Sequence, residues 1–204
     1  IQQISFAPYG TRQDELKIGE YAFASCESLK EIEIPIKTAG NIGANAFQNC
    51  KSLGRAGLQN ELAYLSSALF SGAGAGKDES GENVEGLTMY IIGKGAEGEK
   101  RLPENITYIG NGCFQGATLA GLDLSGCTKL TKINQHGFAI SKWRGVLTLP
   151  ESLEEMELMA FSSSSLLSID IPERCTEIGE GAFSRSALVS IRLPKSLKEI
   201  KNKT

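Results

Sequence analysis

One spacing constrains this chain more than anything else in it: an apolar residue followed five positions later by Phe, repeated in phase seven times. The pairs are Ile18/Phe23, Ile42/Phe47, Leu65/Phe70, Ile109/Phe114, Ile133/Phe138, Met156/Phe161 and Ile178/Phe183. Successive phenylalanines lie 24, 23, 44, 24, 23 and 22 residues apart. Self-similarity at such a period signals stacked units, because one unit of this size cannot bury its own apolar face and needs a neighbour on each side. The 44-residue interval reads as two periods, in which one rung lacks its Phe or carries inserted length.

After each Phe comes a polar turn, a Leu and a short alternating run, as in Leu29-Lys-Glu-Ile32-Glu-Ile34-Pro35 and Leu166-Leu-Ser-Ile169-Asp-Ile171-Pro172. Apolar residues at period two over so few positions describe a short strand with one buried face. Proline ends it, since proline cannot donate to a strand ladder. Weaker copies are Leu53/Ala56/Leu58, Leu87/Met89 and Leu147/Leu149, and Ile4/Phe6 before Ala7-Pro8 predicts one more strand, making eight rungs. In Ile-Gly-x-x-Ala-Phe, as at Ile18 to Phe23, Gly lets the backbone turn, Ala permits close packing and Phe plugs the space between the walls. The expected fold class is therefore α/β: a single solenoid over residues 1–204, with one short parallel strand per 22- to 24-residue repeat and short helical turns on the opposite wall.

The run Ile-Gly-x-x-Ala-Phe-x-x-Cys-x-x-Leu-x-x-Ile-x-Ile-Pro, which stands at Ile18 to Pro35, resembles the repeat of the BspA-like leucine-rich-repeat proteins, also called the Treponema pallidum type. The resemblance runs over about residues 4 to 200 and is weakest between 58 and 102. It implies a leucine-rich-repeat solenoid and an extracellular or cell-surface setting. It also implies non-catalytic binding, with a host or bacterial surface protein as partner in an adhesion-like role. A carbohydrate-binding module and a passive spacer are the alternatives.

Two insertions break the pattern, near 71–84 and 93–101, on either side of one rung. The first is Gly-rich, carries Lys77 against Asp78, Glu79, Glu82 and Glu85, and reads as an acidic lip. The second carries Lys94, Lys100 and Arg101 against Glu97 and Glu99 and reads as a mildly basic lip. Long loops in solenoids are common places for function. Thr88 and Tyr90 between these lips, with Lys94 on the second, are the first candidate ligand-binding residues. The strand positions between buried pairs must face outward and form two ladders. One is Glu31, Arg55, Gly86, Gly121, Val146, Ser168, Ser190; the other is Glu33, Gly57, Thr88, Asp123, Thr148, Asp170, Arg192. Glu33, Asp123, Asp170 and Arg192 complete the candidate set. Tyr90, Tyr64 and Tyr108 are the expected aromatic anchors, the residue type that dominates binding hot spots.

Composition excludes more than it assigns. A formal charge of -3 leaves no basic face to neutralise phosphates, so nucleic acid is not an expected partner. The C-terminal cluster Arg192, Lys195, Lys198, Lys201 and Lys203 reads as a solvated end. No apolar run reaches membrane-spanning length, about 18 residues. No signal-peptide pattern occurs, and a start at Ile1 reads as a trimmed or processed chain. Gly72 to Lys77 has the flavour of a phosphate loop, but Lys77 precedes Asp78 and no helix pattern follows. The single histidine, His136, sits in a repeat turn without a nucleophile elbow, so catalysis is not expected. Five cysteines without Cys-x-x-Cys spacing indicate no metal site, and no cofactor is expected. Cys26 and Cys50 share one repeat position, three after Phe, and Cys113 precedes Phe114; all three read as small buried residues, while Cys127 and Cys175 fall in turns. Trp143 occupies the place of a turn Leu and reads as a core substitute.

Overall fold

The computed structural model describes residues 2–4, 16–37, 40–76 and 85–204. The expected N-terminal strand is described only at its start, since Phe6 to Pro8 lie outside these residues. So do Lys77, Asp78, Glu79 and Glu82 of the first insertion.

The core is a column of rings. Consecutive phenylalanines from Phe23 to Phe183 stack nearly parallel, with centroids 5.4, 5.9, 5.8, 5.2, 5.2 and 5.5 Å apart. Near-parallel rings at these distances are offset rather than eclipsed, the arrangement their quadrupoles favour. Phe47, Phe70, Phe114, Phe138 and Phe161 are wholly buried. Phe70 stacks directly on Phe114. The 44-residue interval is therefore one rung with inserted length and not two periods.

Around the column the described residues form fifteen short strands, numbered β1 to β15 along the sequence. The outer wall carries β1 (Gln3–Ile4), β2 (Glu31–Ile34), β3 (Arg55–Leu58), β5 (Thr88–Ile91), β8 (Leu122–Asp123), β11 (Leu147–Thr148), β13 (Ser168–Asp170) and β15 (Ser190–Arg192). A second wall carries β4 (Tyr64–Leu65) with β6 (Tyr108–Ile109), and β9 (Lys132–Ile133), β12 (Glu155–Met156) and β14 (Glu177–Ile178). β7 (Thr118–Leu119) and β10 (Lys142–Trp143) pair at the corner leading to the outer wall. Every named strand pair is parallel, as one strand per turn of a coil requires.

The α/β expectation needs correction. Among the described residues the only helical piece is one 3-10 turn, Gly95–Gly98, inside the second insertion. The segments around each Phe are successive tight turns instead. Two residues before and two after each Phe the backbone is left-handed, at Tyr21 and Ser25, Asn45 and Asn49, His136 and Ile140, Met159 and Ser163. Between these positions alternate N–H groups point the same way and donate to the next rung: Tyr21 N to Ala44 O at 3.2 Å, Phe23 N to Ala46 O at 2.9 Å, Ser25 N to Gln48 O at 2.7 Å. The motif glycines do something other than turn. Gly19, Gly43, Gly110 and Gly179 have no positive φ. A Cβ on Gly110 would lie 2.5 Å from Ser67 N, and one on Gly179 2.5 Å from the Glu157 carbonyl carbon, so glycine there lets neighbouring rungs touch.

The outer wall is less regular. β3 pairs β5 in the register Arg55↔Thr88 and Gly57↔Tyr90, which places Met89 and Ile91 beneath. The expected ladder set Arg55 beside Gly86 and Gly57 beside Thr88, and is off by two residues. Leu87, taken as a strand core position, bridges Leu119 at the corner instead. Beyond β5 the second insertion returns as an extra layer: Glu99 bridges Tyr90 antiparallel, and Arg101 bridges Asp123 parallel. Farther on, β11 pairs only β8 and β13 only β15, so the expected continuous sheet of eight rungs parts between β11 and β13.

Candidate functional site

The third rung carries the most constructed polar group on the outer wall. Tyr90 projects outward from β5, yet it is only 9% exposed, because its ring lies across Gly57. A Cβ at Gly57 would come within 2.7 Å of the ring carbon bearing the hydroxyl. The ring thus crosses β3 where there is no side chain, and its hydroxyl reaches β2. There it lies 3.2 Å from Glu31 Oε1 and 3.0 Å from Glu33 Oε1, one proton shared between two carboxylates. Burial first, and then the hydrogen bonds to Glu33 and Glu31, push the Tyr90 hydroxyl well above the usual tyrosine range. Arg55 closes the top, its guanidinium carbon 4.7 Å from the ring centroid. It also spans Glu31 at 3.3 Å and Glu99 at 3.0 Å. The inserted layer is therefore fastened to two successive rungs.

Both ion pairs are half exposed and each stabilises by under about 1 kcal/mol. The buried ring supplies most of the hold. Tyr90 is consequently not the free anchor expected of it. The sequence pattern places Glu31 and Arg55 only on an outward ladder and Glu99 only on the second lip, because the corrected register is what brings Tyr90 over Gly57. A bare glycine opposite an aromatic residue on a neighbouring strand is the signal that could have found them.

A Phe column, parallel strands stacked wall by wall and glycines where rungs touch lead to one repeat family. The sequence pattern of the BspA type leucine rich repeat region matches residues 13–86 and 98–204, in 6 copies. The chain belongs to that family. The internal unmatched stretch, 87–97, contains β5 and the first three residues of the 3-10 turn.

Three solved structures resemble this BspA-type chain. A leucine rich cell surface protein from Faecalibacterium prausnitzii is 25% identical with a TM-score of 0.45, over 86% of this chain and 42% of that one. A leucine-rich repeat protein from Bacteroides ovatus is 22% identical with a TM-score of 0.35, over 90% and 57%. One from Eubacterium ventriosum is 13% identical with a TM-score of 0.32, over 86% and 63%. The chain thus spans less than two thirds of the length of each. No curated protein matches it.

The other candidate residues of this BspA-type solenoid do not gather at one place. Lys94 is exposed and Thr88 half-buried beside the clamp, and Glu33 belongs to it. Asp123 lies one layer on, 3.0 Å from Arg101. Partial burial works to raise its pKa, but hydrogen bonds from Ser125 and the charge of Arg101 outweigh this and hold it below the usual carboxylate value. Arg101 pairs with Asp123 and Glu99 with Arg55, which leaves Lys94 and Lys100 against Glu97 on the second insertion. Asp170 and Arg192 pair at 3.6 Å near the far end, both 73% exposed. Tyr64 and Tyr108 stack face to face at 4.6 Å on the second wall. Trp143 packs on Phe138 at 5.7 Å and donates from Nε1 to Ser141 Oγ at 2.8 Å, as a core substitute would.

All five cysteines are free thiols. Cys26 is half-buried; Cys127 and Cys175, expected in turns, are wholly buried, as are Cys50 and Cys113. Burial pushes the four wholly buried thiols up, Cys50 and Cys175 to about 11, Cys127 to about 12 and Cys113 further still. They are therefore poor nucleophiles. Among the described residues no group of His, Cys, Asp and Glu has the geometry of a metal site, and no helix is long and apolar enough to cross a membrane.

Proposed function

We propose that the chain is a non-catalytic recognition module of an extracellular or cell-surface protein, engaging a protein partner on its outer wall around the third rung. The observation that carries this reading is the inserted layer held by Tyr90, Glu31, Glu33, Arg55 and Glu99. Ordering each added backbone residue costs about 1 to 2 kcal/mol. A spacer gains nothing from that, since stacking alone keeps its rungs in line. A binding surface gains a fixed platform, on which Lys94 and Glu97 are exposed. Family membership supports the setting.

A glycan partner would want an aromatic face to stack on. One face each of Tyr90, Tyr64, Tyr108 and Trp143 is taken by Arg55, by each other and by Phe138, and the exposed Tyr21 lies on the Phe wall, away from the inserted layer. A mixed-charge, ordered patch of this kind suits a protein.

The test is a binding screen of the whole chain against purified matrix and plasma proteins, with immobilised glycans in parallel. A protein partner is expected, and Lys94→Glu with Glu97→Lys should weaken it about tenfold, as reversal of interface charges does. A partner indifferent to that reversal puts the site elsewhere. Glycan binding with no protein binding overturns the reading.

A further inference from the structure

We infer that the seam between β11 and β13 is a docking slot for a basic side chain, arginine above all, presented by a protein partner. The inference rests on the recognition-module reading only in taking the partner to be a protein.

In a parallel ladder alternate residues turn both backbone polar groups to the same neighbour. Leu122 N donates to Val146 O and Leu124 N to Thr148 O, so Val146 and Thr148 face β8. Leu167 O accepts from Val189 N and Ile171 N donates to Arg192 O, so the odd residues of β13 face β15. By alternation the amides and carbonyls of Leu147 and Leu149 point at those of Ser168 and Asp170, and no pairing joins the two strands. Unpaired backbone groups in the middle of a sheet call for a partner.

The place left open is a crevice of about 310 Å³. Its floor is apolar, from Leu147, Leu149 and Ile169, and Val146 stands at its rim, 74% exposed. Its polar side groups are Thr148, Glu151, Ser168, Asp170 and Arg192. Two carboxylates against one guanidinium leave the lining one negative charge in excess. Backbone carbonyls and carboxylates accept hydrogen bonds. A guanidinium only donates them, with five N–H groups on a flat plate whose stem packs on aliphatic carbon. Arginine therefore matches the carbonyls of the seam, its charge and its floor. The pairing of Arg192 with Asp170 is long and exposed, so Asp170 is available to a second cation.

The test uses the whole chain, labelled with ¹⁵N and titrated with two capped tripeptides, acetyl-Leu-Arg-Val-amide and its citrulline analogue, which keeps the shape and removes the charge. The arginine peptide is expected to move the amide resonances of Leu147, Leu149, Ser168 and Asp170. The citrulline peptide should bind about fivefold more weakly, the scale of one partly exposed charge contact. Asp170→Asn with Glu151→Gln should erase that difference, whereas Glu33→Gln, on the clamp, should leave it alone. Shifts scattered over the surface, equal binding of both peptides, or no binding at all would each overturn the slot. Lys94→Glu with Glu97→Lys is far along the solenoid from the seam and should not alter this titration. A failed titration alongside a partner lost on that reversal thus sinks the slot and leaves the module reading standing. Specific arginine binding in a chain that no protein partner engages does the opposite.

Discussion

The Phe wall and the outer wall belong to the same rungs, yet only one of them keeps strict step. Between Phe70 and Phe114 the chain takes 44 residues instead of about two dozen, and the rings still stack at 5.8 Å. The outer wall takes up the described part of the difference, where the residues after β5 return as the Glu99 to Arg101 layer. A stack of aromatic plates has one good spacing, and an inserted turn there would open a void that nothing fills. A wall of short strands with one face in water can add a layer, because each new strand brings its own backbone partners. What regularity survives in such a solenoid is set by the wall that cannot stretch.

The sharpest way to break this comparison is to remove a plate. Phe114→Ala, in mid-column, should cost about 3 to 5 kcal/mol by urea unfolding. Phe183→Ala should cost clearly less, since that ring is 7% exposed and stacks on one neighbour only. Equal losses would mean that burial alone, and not stacking on both sides, sets the stability of the column.

On the outer wall, Gly57→Val should cost about 2 kcal/mol by displacing the Tyr90 ring, within the range for overpacking. With Tyr90→Ala already present, the same substitution should cost far less. Additive losses would place the clash elsewhere.

Tyr90→Phe should cost about 1 kcal/mol by losing the shared hydrogen bond. It should also change the alkaline limb of the stability curve. Because the folded pKa of Tyr90 is raised, its contribution is complete below the ordinary tyrosine value of about 10 and is lost as pH rises from there toward the folded value. Melting temperatures of the parent should fall through that window, and those of Tyr90→Phe should fall less steeply. Parallel curves would contradict the buried hydroxyl.

The smallest effect returns to the Phe wall. Ile140 holds a left-handed backbone, φ 59°, with a branched side chain that is 56% exposed. Ile140→Asn should stabilise by a few tenths of a kcal/mol, up to about 1, because asparagine tolerates that conformation and little burial is lost. A lower urea midpoint would show the side chain contributing contacts that its exposure hides.

The Phe column was legible because one residue type recurs at one place, and the strands from β8 onward because Leu, Ile and Pro recur with it. Trp143 and the buried Cys50 and Cys113 followed from the same phase. The third rung was not legible. Leu87 looks like the start of a buried alternation, but Gly86, at φ 100°, brings it to the corner beside Leu119 and moves the strand on by two. That shift turned Tyr90 from an anchor beside a loop into the centre of a clamp. The expected α component failed for a related reason. Left-handed backbone at Tyr21, His136 or Ile140 leaves no mark in residue type, so a chain of turns looked like a short helix. The seam was invisible too, since Leu147 and Ile169 carry the same apolar signature as strands that pair.

The one-way hydrogen bonds of the Phe wall give the molecule an electrical direction. Each rung sends three amide protons forward and receives them on the carbonyls of the rung ahead, so the peptide dipoles there add along the axis instead of cancelling as in an ordinary parallel sheet. An α-helix is positive at its N-terminal end. This wall is the reverse: its amides point toward the Phe183 end of the column and its carbonyls toward the Phe23 end. Carboxylates should therefore sit more comfortably against the last turns around Phe183, and cations against the first ones around Phe23.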